Sequence, residues 1–392
     1  RAAAALAALA VDPLLRRRRG CAAAEAPEAP QRADRGGDSV QHGPLRVFAG
    51  NAHAQLAQSI AAQMGVPLSD ATVQRFNCGE VNVVINENVR DCDVFVIQPT
   101  CNGGAGPQEH LVELLIMLDA IRRGSPNRLT AVMPLFGYAR QNAKDRSRSP
   151  ITARLMTDII QVAGAQAVLT VELHAPQIQG FASYPIDNLF AMSLIAEELH
   201  SVLASRGWSA EDVVVVSPDV GGAKRASLFA KMLCAPLAIF SRQRRRKTEA
   251  AEVDLVGEVS GKICVIIDDI ADTAGTLVHA AARLKERGAE AVVGACVHGV
   301  FSEPALEHIS GSQMELLIVT DTIPMEDKAA RCPKLRVVSV APLLASAILR
   351  LHKGKGPNEN AGLLPAPSGG GWKDRGEAGE SPLLLSPRDG LC

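Results

Sequence analysis

The chain has 392 residues, of which 47% are hydrophobic, 21% are charged and 3% are aromatic, and its formal net charge is −1. A near-neutral, aromatic-poor chain argues against a basic nucleic-acid-binding surface and against stacking platforms for single strands. No apolar run reaches the roughly 18 residues that a membrane-spanning helix needs. Nine cysteines without a CxxC pair give no support to a zinc knuckle, and we expect reduced, mostly buried thiols.

The two ends of the chain differ in composition from the middle. Residues 1–44 are rich in Ala, Arg and Pro, and we interpret them as a disordered leader or as an organelle transit segment, although acidic residues such as Glu25 weaken the second interpretation. Residues 356–392 are rich in Gly, Pro and Ser, which is typical of a disordered tail. We therefore expect a cytoplasmic protein, or a plastid or mitochondrial one if the leader is a transit segment.

The middle of the chain alternates short β-rich runs with amphipathic segments of helical length. Strands are predicted at 45–49, 94–98, 129–135, 167–172, 212–217, 237–240, 262–267, 291–298, 316–320 and 335–339. Helices are predicted at 52–64, 109–123, 153–162, 222–232 and 275–287. Apolar β-branched runs separated by helices indicate mostly parallel sheets that are buried on both faces. Ligands bind beyond the carboxyl ends of the strands in such sheets, so we expect the functional residues there.

One loop carries a distinctive set of side chains. The strand at 262–267 leads into Asp-Asp-Ile-Ala-Asp-Thr-Ala-Gly-Thr at 268–276, where a helix begins. Two acids can hold ribose hydroxyls, directly or through a hydrated Mg²⁺ ion. Small residues, two hydroxyls and free backbone N–H groups at a helix start suit a phosphate monoester. The alternative is an acidic helix cap with capping threonines.

The 268–276 string resembles the ribose-phosphate loop of the type I phosphoribosyltransferase fold. Five further motifs, together with that loop, resemble the ribose-phosphate pyrophosphokinases in the family's order over about residues 45–355. They are Tyr-Ala-Arg-Gln at 138–141, Leu-His-Ala-Pro-Gln-Ile-Gln-Gly-Phe at 173–181, Asn-Leu at 188–189 after Asp187, Val-Ser-Pro-Asp-Val-Gly-Gly-Ala-Lys-Arg at 216–225 and Thr-Ile-Pro at 322–324. The sequence contains no Walker A loop, and no Gly-x-Gly-x-x-Gly fingerprint follows a strand.

The resemblance implies an α/β fold of two tandem phosphoribosyltransferase type I-like domains, each a mostly parallel sheet flanked by helices. Residues 45–190 would form the N-terminal domain on the ATP side, and residues 191–355 the C-terminal domain on the ribose 5-phosphate side. It implies a Mg²⁺-dependent transfer of pyrophosphate from ATP to C1 of ribose 5-phosphate, for nucleotide biosynthesis. It also implies a homo-oligomer based on dimers, up to a hexamer, or a hetero-oligomer with paralogues, without nucleic-acid or membrane partners.

The resemblance also assigns roles to individual residues. The implied ATP-binding residues are Phe76, Cys78, Gly79, Glu80, Arg140, Gln141 and Asp145. The implied ribose 5-phosphate-binding residues are Asp268, Asp269, Asp272, Thr273, Ala274, Gly275 and Thr276. The implied catalytic residues are Arg242, Arg244 and His174, the implied metal-associated residues are His174 and Asp219, and the implied regulatory residues are Gln179, Asp187 and Asn188. The less favoured alternatives are that His174 is a structural histidine and that Asp219 is a helix cap.

Several positions depart from the pattern of the family and leave alternatives open. Arg242 stands where the family usually has Lys, Cys78 replaces an amide or an acid, and Ala143 replaces a basic residue. These changes suit a weakly active or non-catalytic regulatory subunit, which is the main alternative to an active enzyme. Pro176 replaces a small residue near the regulatory site, so ordinary phosphate activation is in doubt. A base-specific phosphoribosyltransferase is the third hypothesis, but it would not need the synthetase-like N-terminal half.

Overall fold

The structure is a computed structural model that describes residues 42–243 and 252–357, with the backbone alone at residues 242, 243, 252 and 253. The strands in these ranges are β1 (Leu45–Ala49), β2 (Ala71–Arg75), β3 (Val81–Ile85), β4 (Asp93–Ile97), β5 (Arg128–Met133), β6 (Ala167–Val171), β7 (Ile186–Leu189), β8 (Val213–Ser217), β9 (Leu237–Gln243), β10 (Glu252–Val256), β11 (Ile263–Ala271), β12 (Ala291–Gly299), β13 (Leu316–Thr320) and β14 (Leu335–Val338). The α-helices are α1 (Ala54–Met64), α2 (Pro107–Arg123), α3 (Thr152–Ala163), α4 (Met192–Arg206), α5 (Ala223–Met232), α6 (Gly275–Glu286), α7 (Ala305–Ser310), α8 (Glu326–Arg331) and α9 (Ala341–His352).

Two large sheets organise these elements. The first is parallel throughout, with the strand order β1-β4-β5-β6-β7. The second has the order β10-β9-β8-β11-β12-β13-β14, and only β10 is antiparallel to its neighbour. Every residue of the central strands β4, β8 and β12 is buried, as expected for strands covered on both faces. The predicted α/β class with mostly parallel sheets is confirmed.

The structure also contains elements that the sequence patterns did not predict. The strands β2 and β3 form an antiparallel hairpin whose side chains are mostly half-buried or exposed, so they lack the apolar signal of a core strand. The strand β7 and the helices α4 and α9 were missed as well. The strand β11 continues past its predicted end at 267 to Ala271, because the backbone of β12 pairs with it as far as Gly299. The two acids at 268 and 269 therefore lie within a strand rather than in a loop.

The described part of the chain bears on the domain predictions as follows. The first sheet is formed by residues up to Leu189 and the second by residues from Val213 onward, while the domain boundary between 190 and 191 stays a prediction. Most of the leader predicted at 1–44 and of the tail predicted at 356–392 lies outside the described residues.

Five of the seven cysteines in the described ranges are buried, and all seven are free thiols. None of the described helices is long and apolar enough to cross a membrane.

Helix α9 is hydrogen-bonded to the amino ends of strands in the first sheet. The carboxylate of Asp93, at the start of β4, is fully buried and accepts two hydrogen bonds from the Arg128 guanidinium, at 2.8 and 2.6 Å. His352, the last residue of α9, donates from Nδ1 to the same carboxylate at 2.8 Å. Arg128 also donates to the carbonyl oxygen of Leu351 at 2.9 Å. The buried carboxylate thus takes its hydrogen bonds from two distant parts of the chain, and the Arg128 guanidinium compensates its charge.

A second tie joins the opposite, carboxyl end of that sheet to the second sheet. His298 of β12 is buried, and its Nε2–H donates to the carbonyl oxygen of Glu172 at 3.1 Å. Its Nδ1 lies 2.8 Å from the hydroxyl of Thr322. Burial lowers the pKa of His298 to about 4, so at pH 7 the imidazole is neutral and its Nδ1 accepts the hydroxyl hydrogen.

We predict that Asp93→Asn destabilises the fold by about 3 kcal/mol, because it leaves the buried ends of Arg128 and His352 without their carboxylate. Urea unfolding followed by circular dichroism measures this change. Asp119→Asn is the control, because Asp119 pairs with Arg122 and Arg123 on an exposed helix face, and it should not shift the unfolding midpoint. Equal midpoints for the two variants would contradict the prediction.

We predict a pH effect from His298. Its pKa is about 4 in the fold and about 6.5 in the unfolded chain, so the unfolded state binds more protons between these values and stability falls as the pH falls through that window. From pH 7 to pH 5 the wild type should therefore lose about 2 kcal/mol more stability than His298→Gln, which keeps a donor but does not titrate. Urea unfolding at both pH values measures this difference, and parallel losses in the two proteins would refute it.

Candidate active site

The predicted phosphate loop, residues 272–276, joins β11 to α6. Helix α6 begins at Gly275, so the backbone N–H groups of its first turn are available to an anion. Ala274 precedes the helix at φ +56°, a left-handed conformation that costs a residue with a Cβ about 1 kcal/mol. This loop and its neighbours surround a cavity of about 290 Å³, which is lined by Pro218, Phe240, Thr273, Gly275, Thr276, His279 and Ala280. The geometry fits a phosphate monoester seated at the helix start.

Asp272 connects this loop to the predicted ATP-binding residues. Its carboxylate lies 2.8 Å from Nη1 of Arg140. A hydrogen bond from Ser302, and then the bond and charge of Arg140, hold the pKa of Asp272 below its usual range. Beside this pair lies a second cavity of about 430 Å³, which is lined by Thr100, Cys101, Asn102, Pro107, Leu135, Phe136, Gly137, Tyr138, Ala139, Arg140, Ile270, Asp272, Val300, Ser302 and Ile323. The fold thus brings two predicted binding loops from different sheets into direct contact.

The paired acids on β11 have different surroundings. Asp269 is 4% exposed, and its Oδ2 accepts a hydrogen bond from Nδ1 of His174 at 2.5 Å. Burial would raise the pKa of Asp269, but the His174 hydrogen bond and the charge of Arg225 outweigh it and hold that pKa below its usual range. For Asp268, burial and the neighbouring charge of Asp269 raise the pKa. At neutral pH the site therefore holds one firmly ionised carboxylate beside one that resists ionisation.

His174 follows β6 and reaches across to the second sheet. Because a carboxylate only accepts, the contact with Asp269 places a proton on Nδ1 of His174, and in the neutral ring Nε2 is then the nitrogen that can bind a cation. The residue two positions earlier, Glu172, is 5% exposed and has φ +47°. Burial raises the pKa of Glu172 to about 7. Strained backbone of this kind is concentrated at functional sites.

Asp219 lies in the loop between β8 and α5, next to the strand that carries Asp269. Its Oδ1 accepts a hydrogen bond from the backbone N–H of Gly222 at 2.8 Å, which is the capping contact of the alternative interpretation. The described residues contain no group of three His, Cys, Asp or Glu side chains arranged to hold a metal ion. Mg²⁺ usually keeps several waters and binds through one or two protein groups and substrate phosphates. His174 and Asp219, as one or two protein groups, fit that mode and do not fit a protein-built metal cage.

The predicted adenine-binding loop is the tip of the β2–β3 hairpin. Phe76 donates its N–H to the carbonyl of Glu80 at 2.9 Å, and Gly79 donates to the carbonyl of Phe76 at 2.8 Å. Gly79 has φ +92°, which the tight turn requires, and Cys78 is exposed. The ring of Phe76 is 54% exposed. Within the described residues, no hydrogen bond or ion pair joins this hairpin tip to the other predicted site residues.

The structure describes only some of the remaining predicted ATP-binding and catalytic residues. Gln141 follows Arg140 and accepts a hydrogen bond from Thr152, while Asp145 lies in an exposed turn. The backbone of Arg242 pairs with Val253 in the β9–β10 ladder. Arg244 and residues 245–251 lie outside the described residues. The structure therefore leaves the two predicted catalytic cations as predictions.

The predicted regulatory residues make local contacts. Gln179 donates to the carbonyl of Pro176 at 3.0 Å. Burial raises the pKa of Asp187 on β7. Asn188 accepts the N–H of Leu173 at 2.9 Å, and its buried amide nitrogen has no hydrogen-bond partner in the structure. Asn188 therefore supports the turn that carries His174, while a regulatory role stays a prediction.

The sequence analysis assigned no role to three residues of this site, namely Glu172, Arg225 and His298. Arg225 ends a motif that was recognised, and Glu172 directly precedes another, so proximity to a motif was the available signal. Their ion pairs and hydrogen bonds join distant parts of the chain, and no local pattern reports such contacts.

Comparison with known proteins identifies the family. Residues 45–164 match the model of the N-terminal domain of ribose phosphate pyrophosphokinase, and residues 243–359 match that of the phosphoribosyl synthetase-associated domain. A ribose-phosphate pyrophosphokinase from Marinomonas sp. is 47% identical over 309 residues, which are 78% of this chain and 95% of that protein. Ribose-phosphate pyrophosphokinase A from Dictyostelium discoideum is 44% identical over 311 residues, which are 79% of this chain and 96% of that protein.

A solved structure agrees with these relatives. The phosphoribosylpyrophosphate synthetase from Mycobacterium smegmatis superposes with a TM-score of 0.73 at 40% identity, covering 80% of this chain and all of that one. This match confirms the predicted fold class, and relatives named as enzymes favour the catalytic interpretation over the regulatory-subunit alternative. The chain therefore belongs to the ribose-phosphate pyrophosphokinase family.

Proposed function

We propose that this chain is an active ribose-phosphate pyrophosphokinase, which transfers the β,γ-diphosphoryl group of ATP to the C1 hydroxyl of ribose 5-phosphate. The products are 5-phosphoribosyl 1-pyrophosphate and AMP. The observation that carries the proposal is the double contact between the two halves of the site, Arg140 with Asp272 and His174 with Asp269. These contacts set side chains proposed for ATP directly against side chains proposed for the sugar phosphate.

The sugar phosphate would bind along the β11–α6 junction. Thr273, Gly275 and Thr276 face the 290 Å³ cavity and would hold the 5-phosphate through hydroxyl and backbone N–H groups. Asp268 and Asp269 would accept hydrogen bonds from the ribose hydroxyls. A carboxylate has about four lone-pair positions, so Asp269 can keep its contacts with His174 and Arg225 and still accept a hydroxyl.

The nucleotide would bind on the side of Arg140. Arg140 and Gln141 would contact its phosphates, and the Phe76 hairpin tip would cover a base. His174 and Asp219 would hold Mg²⁺, which in such reactions neutralises charge on the phosphates. An exposed aromatic ring at a hairpin tip also suits a base bound to a neighbouring subunit, so we propose a homo-oligomer.

The chemistry asks mainly for positioning and for neutralised charge. Transfer of a phosphoryl-type group needs little covalent help from the protein, and holding two substrates in line provides much of the rate. Arg242 and Arg244 would add cations beside the transferring group.

The first prediction is sugar-dependent release of AMP. The full chain, given Mg²⁺ and ATP, should form AMP only when ribose 5-phosphate is present, which chromatography of the nucleotides measures. Running the assay without phosphate and with excess phosphate tests the altered regulatory region in the same experiment. A folded protein that forms no AMP under either condition would contradict the proposal and return the regulatory-subunit alternative.

The second prediction concerns Asp272. Asp272→Ala should lower kcat/KM for ribose 5-phosphate by at least about 100-fold, because it removes a charged hydrogen-bonding group from the phosphate loop and releases Arg140. Asp327→Ala is the matched control, since Asp327 is an exposed acid on α8, and it should have wild-type kinetics. Wild-type kinetics in the Asp272 variant would overturn the assignment of the loop.

A further inference from the structure

Arg225, in the first turn of α5, lies between two buried acids from different sheets. Its Nη1 is 3.3 Å from Oδ1 of Asp269 on β11, and its Nε is 3.5 Å from Oε1 of Glu172, which follows β6. The Arg225 side chain is itself 17% exposed. One guanidinium therefore contacts a carboxylate on each side of the junction between the sheets.

The charges of this group explain why an arginine suits the position. Glu172 and Asp269 are 5% and 4% exposed, so either carboxylate would be costly to bury in its ionised form without a cation. A planar guanidinium presents several fixed donors and can address two acceptors at once, whereas a lysine ammonium is a compact point donor on a flexible stem. Arg225 can thus set the separation of the two carboxylates as well as compensate their charge.

Both carboxylates act on the turn that carries His174. Asp269 uses its second oxygen, Oδ2, to accept the Nδ1–H of His174. Glu172 holds the start of the same turn, since its Oε2 accepts the N–H of Ala191 at 3.4 Å and its carbonyl accepts Nε2–H of His298. A displacement of either carboxylate would change the direction of the His174 ring.

We propose that Arg225 is a positioning residue that, by contacting Glu172 and Asp269 together, keeps the His174 ring in the Nδ1-protonated tautomer with Nε2 directed at a divalent cation. This inference rests on the proposed function, in which His174 holds the metal. Residues behind a metal ligand commonly change metal affinity by 10–100-fold when they are replaced. Arg225 touches neither the metal nor the reacting atoms in this role.

The test compares Arg225→Lys with the wild type by two measurements that need no turnover. The first is Mn²⁺ affinity, by electron paramagnetic resonance, in the presence of the α,β-methylene analogue of ATP, whose α–β bridge cannot be cleaved. The second is the ¹⁵N resonance of His174 in histidine-labelled protein, assigned by its loss in His174→Asn. We expect roughly tenfold weaker Mn²⁺ binding and an imidazole shift that moves away from the pure Nδ1-protonated form.

Steady-state kinetics separate positioning from simple damage. In Arg225→Lys, kcat should fall and the KM for Mg²⁺–ATP should rise, and the KM for ribose 5-phosphate should rise as well, because Arg225 contacts Asp269, which is proposed to hold ribose hydroxyls. Arg128→Lys is the matched control, because it removes another buried guanidinium–carboxylate contact at the opposite end of the first sheet. That variant should lose stability and keep the Mn²⁺ affinity and the His174 resonance of the wild type.

The outcomes distinguish failure of this inference from failure of the proposed function. Wild-type Mn²⁺ affinity and an unchanged His174 resonance in Arg225→Lys would overturn the inference. Wild-type Mn²⁺ affinity in His174→Asn would instead overturn the metal role of His174 in the proposed function. If Arg225→Lys does not fold, Glu172→Gln tests the same contact, because it keeps the acceptor for Ala191 and removes the charge. It should weaken Mn²⁺ binding in the same direction, and unchanged binding would overturn the inference.

Discussion

The buried carboxylate of Asp269 is the constraint on which the rest of the site depends. A charge that is 4% exposed must be compensated, and its partners come from two places, His174 beyond β6 and Arg225 on α5. Arg225 belongs to the same half of the chain as Asp269, whereas His174 follows a strand of the first sheet and can reach Asp269 only where the carboxyl ends of the two sheets face each other. The contact that compensates the charge of Asp269 therefore holds the carboxyl ends of the two sheets together. It also places the proposed sugar site beside the proposed nucleotide site.

Two ties hold the first sheet at opposite ends. At the amino end, Asp93 pairs with Arg128 and His352, which anchors the last helix. At the carboxyl end, His298 donates to the strained Glu172. The left-handed backbone conformations of Glu172 and Ala274 each cost energy. Such conformations persist where the surrounding structure holds the backbone firmly. The proposed substrate groups thus lie on segments with little freedom to rearrange, which suits a reaction that depends on positioning.

The sequence predicted what local patterns encode and missed what distant pairing decides. Apolar β-branched runs identified the buried parallel strands, and the small residues with hydroxyls at 272–276 identified a loop at a helix start. The hairpin of β2 and β3 was not predicted because its faces are partly exposed. Its polar residues also obscure the alternation of apolar and polar side chains that indicates a strand. The end of β11 was misplaced because two adjacent acids look like loop residues until β12 supplies their backbone partners. Arg225 and Glu172 were missed because their contact joins elements far apart in the chain.

Three of the four positions that depart from the family pattern, all but Arg242, have one physical property in common. Cys78, Ala143 and Pro176 are all exposed, whereas the buried charges around Asp269 are paired and intact. Exposed side chains can alter how a base, a phosphate or an effector is contacted without moving the frame that holds His174. A regulatory subunit without catalytic activity does not need these buried charges. Replacing them with apolar groups of similar volume would often leave its folding stability unchanged or increase it. The presence of a buried carboxylate–arginine–carboxylate group in this chain is therefore a physical argument for an active site.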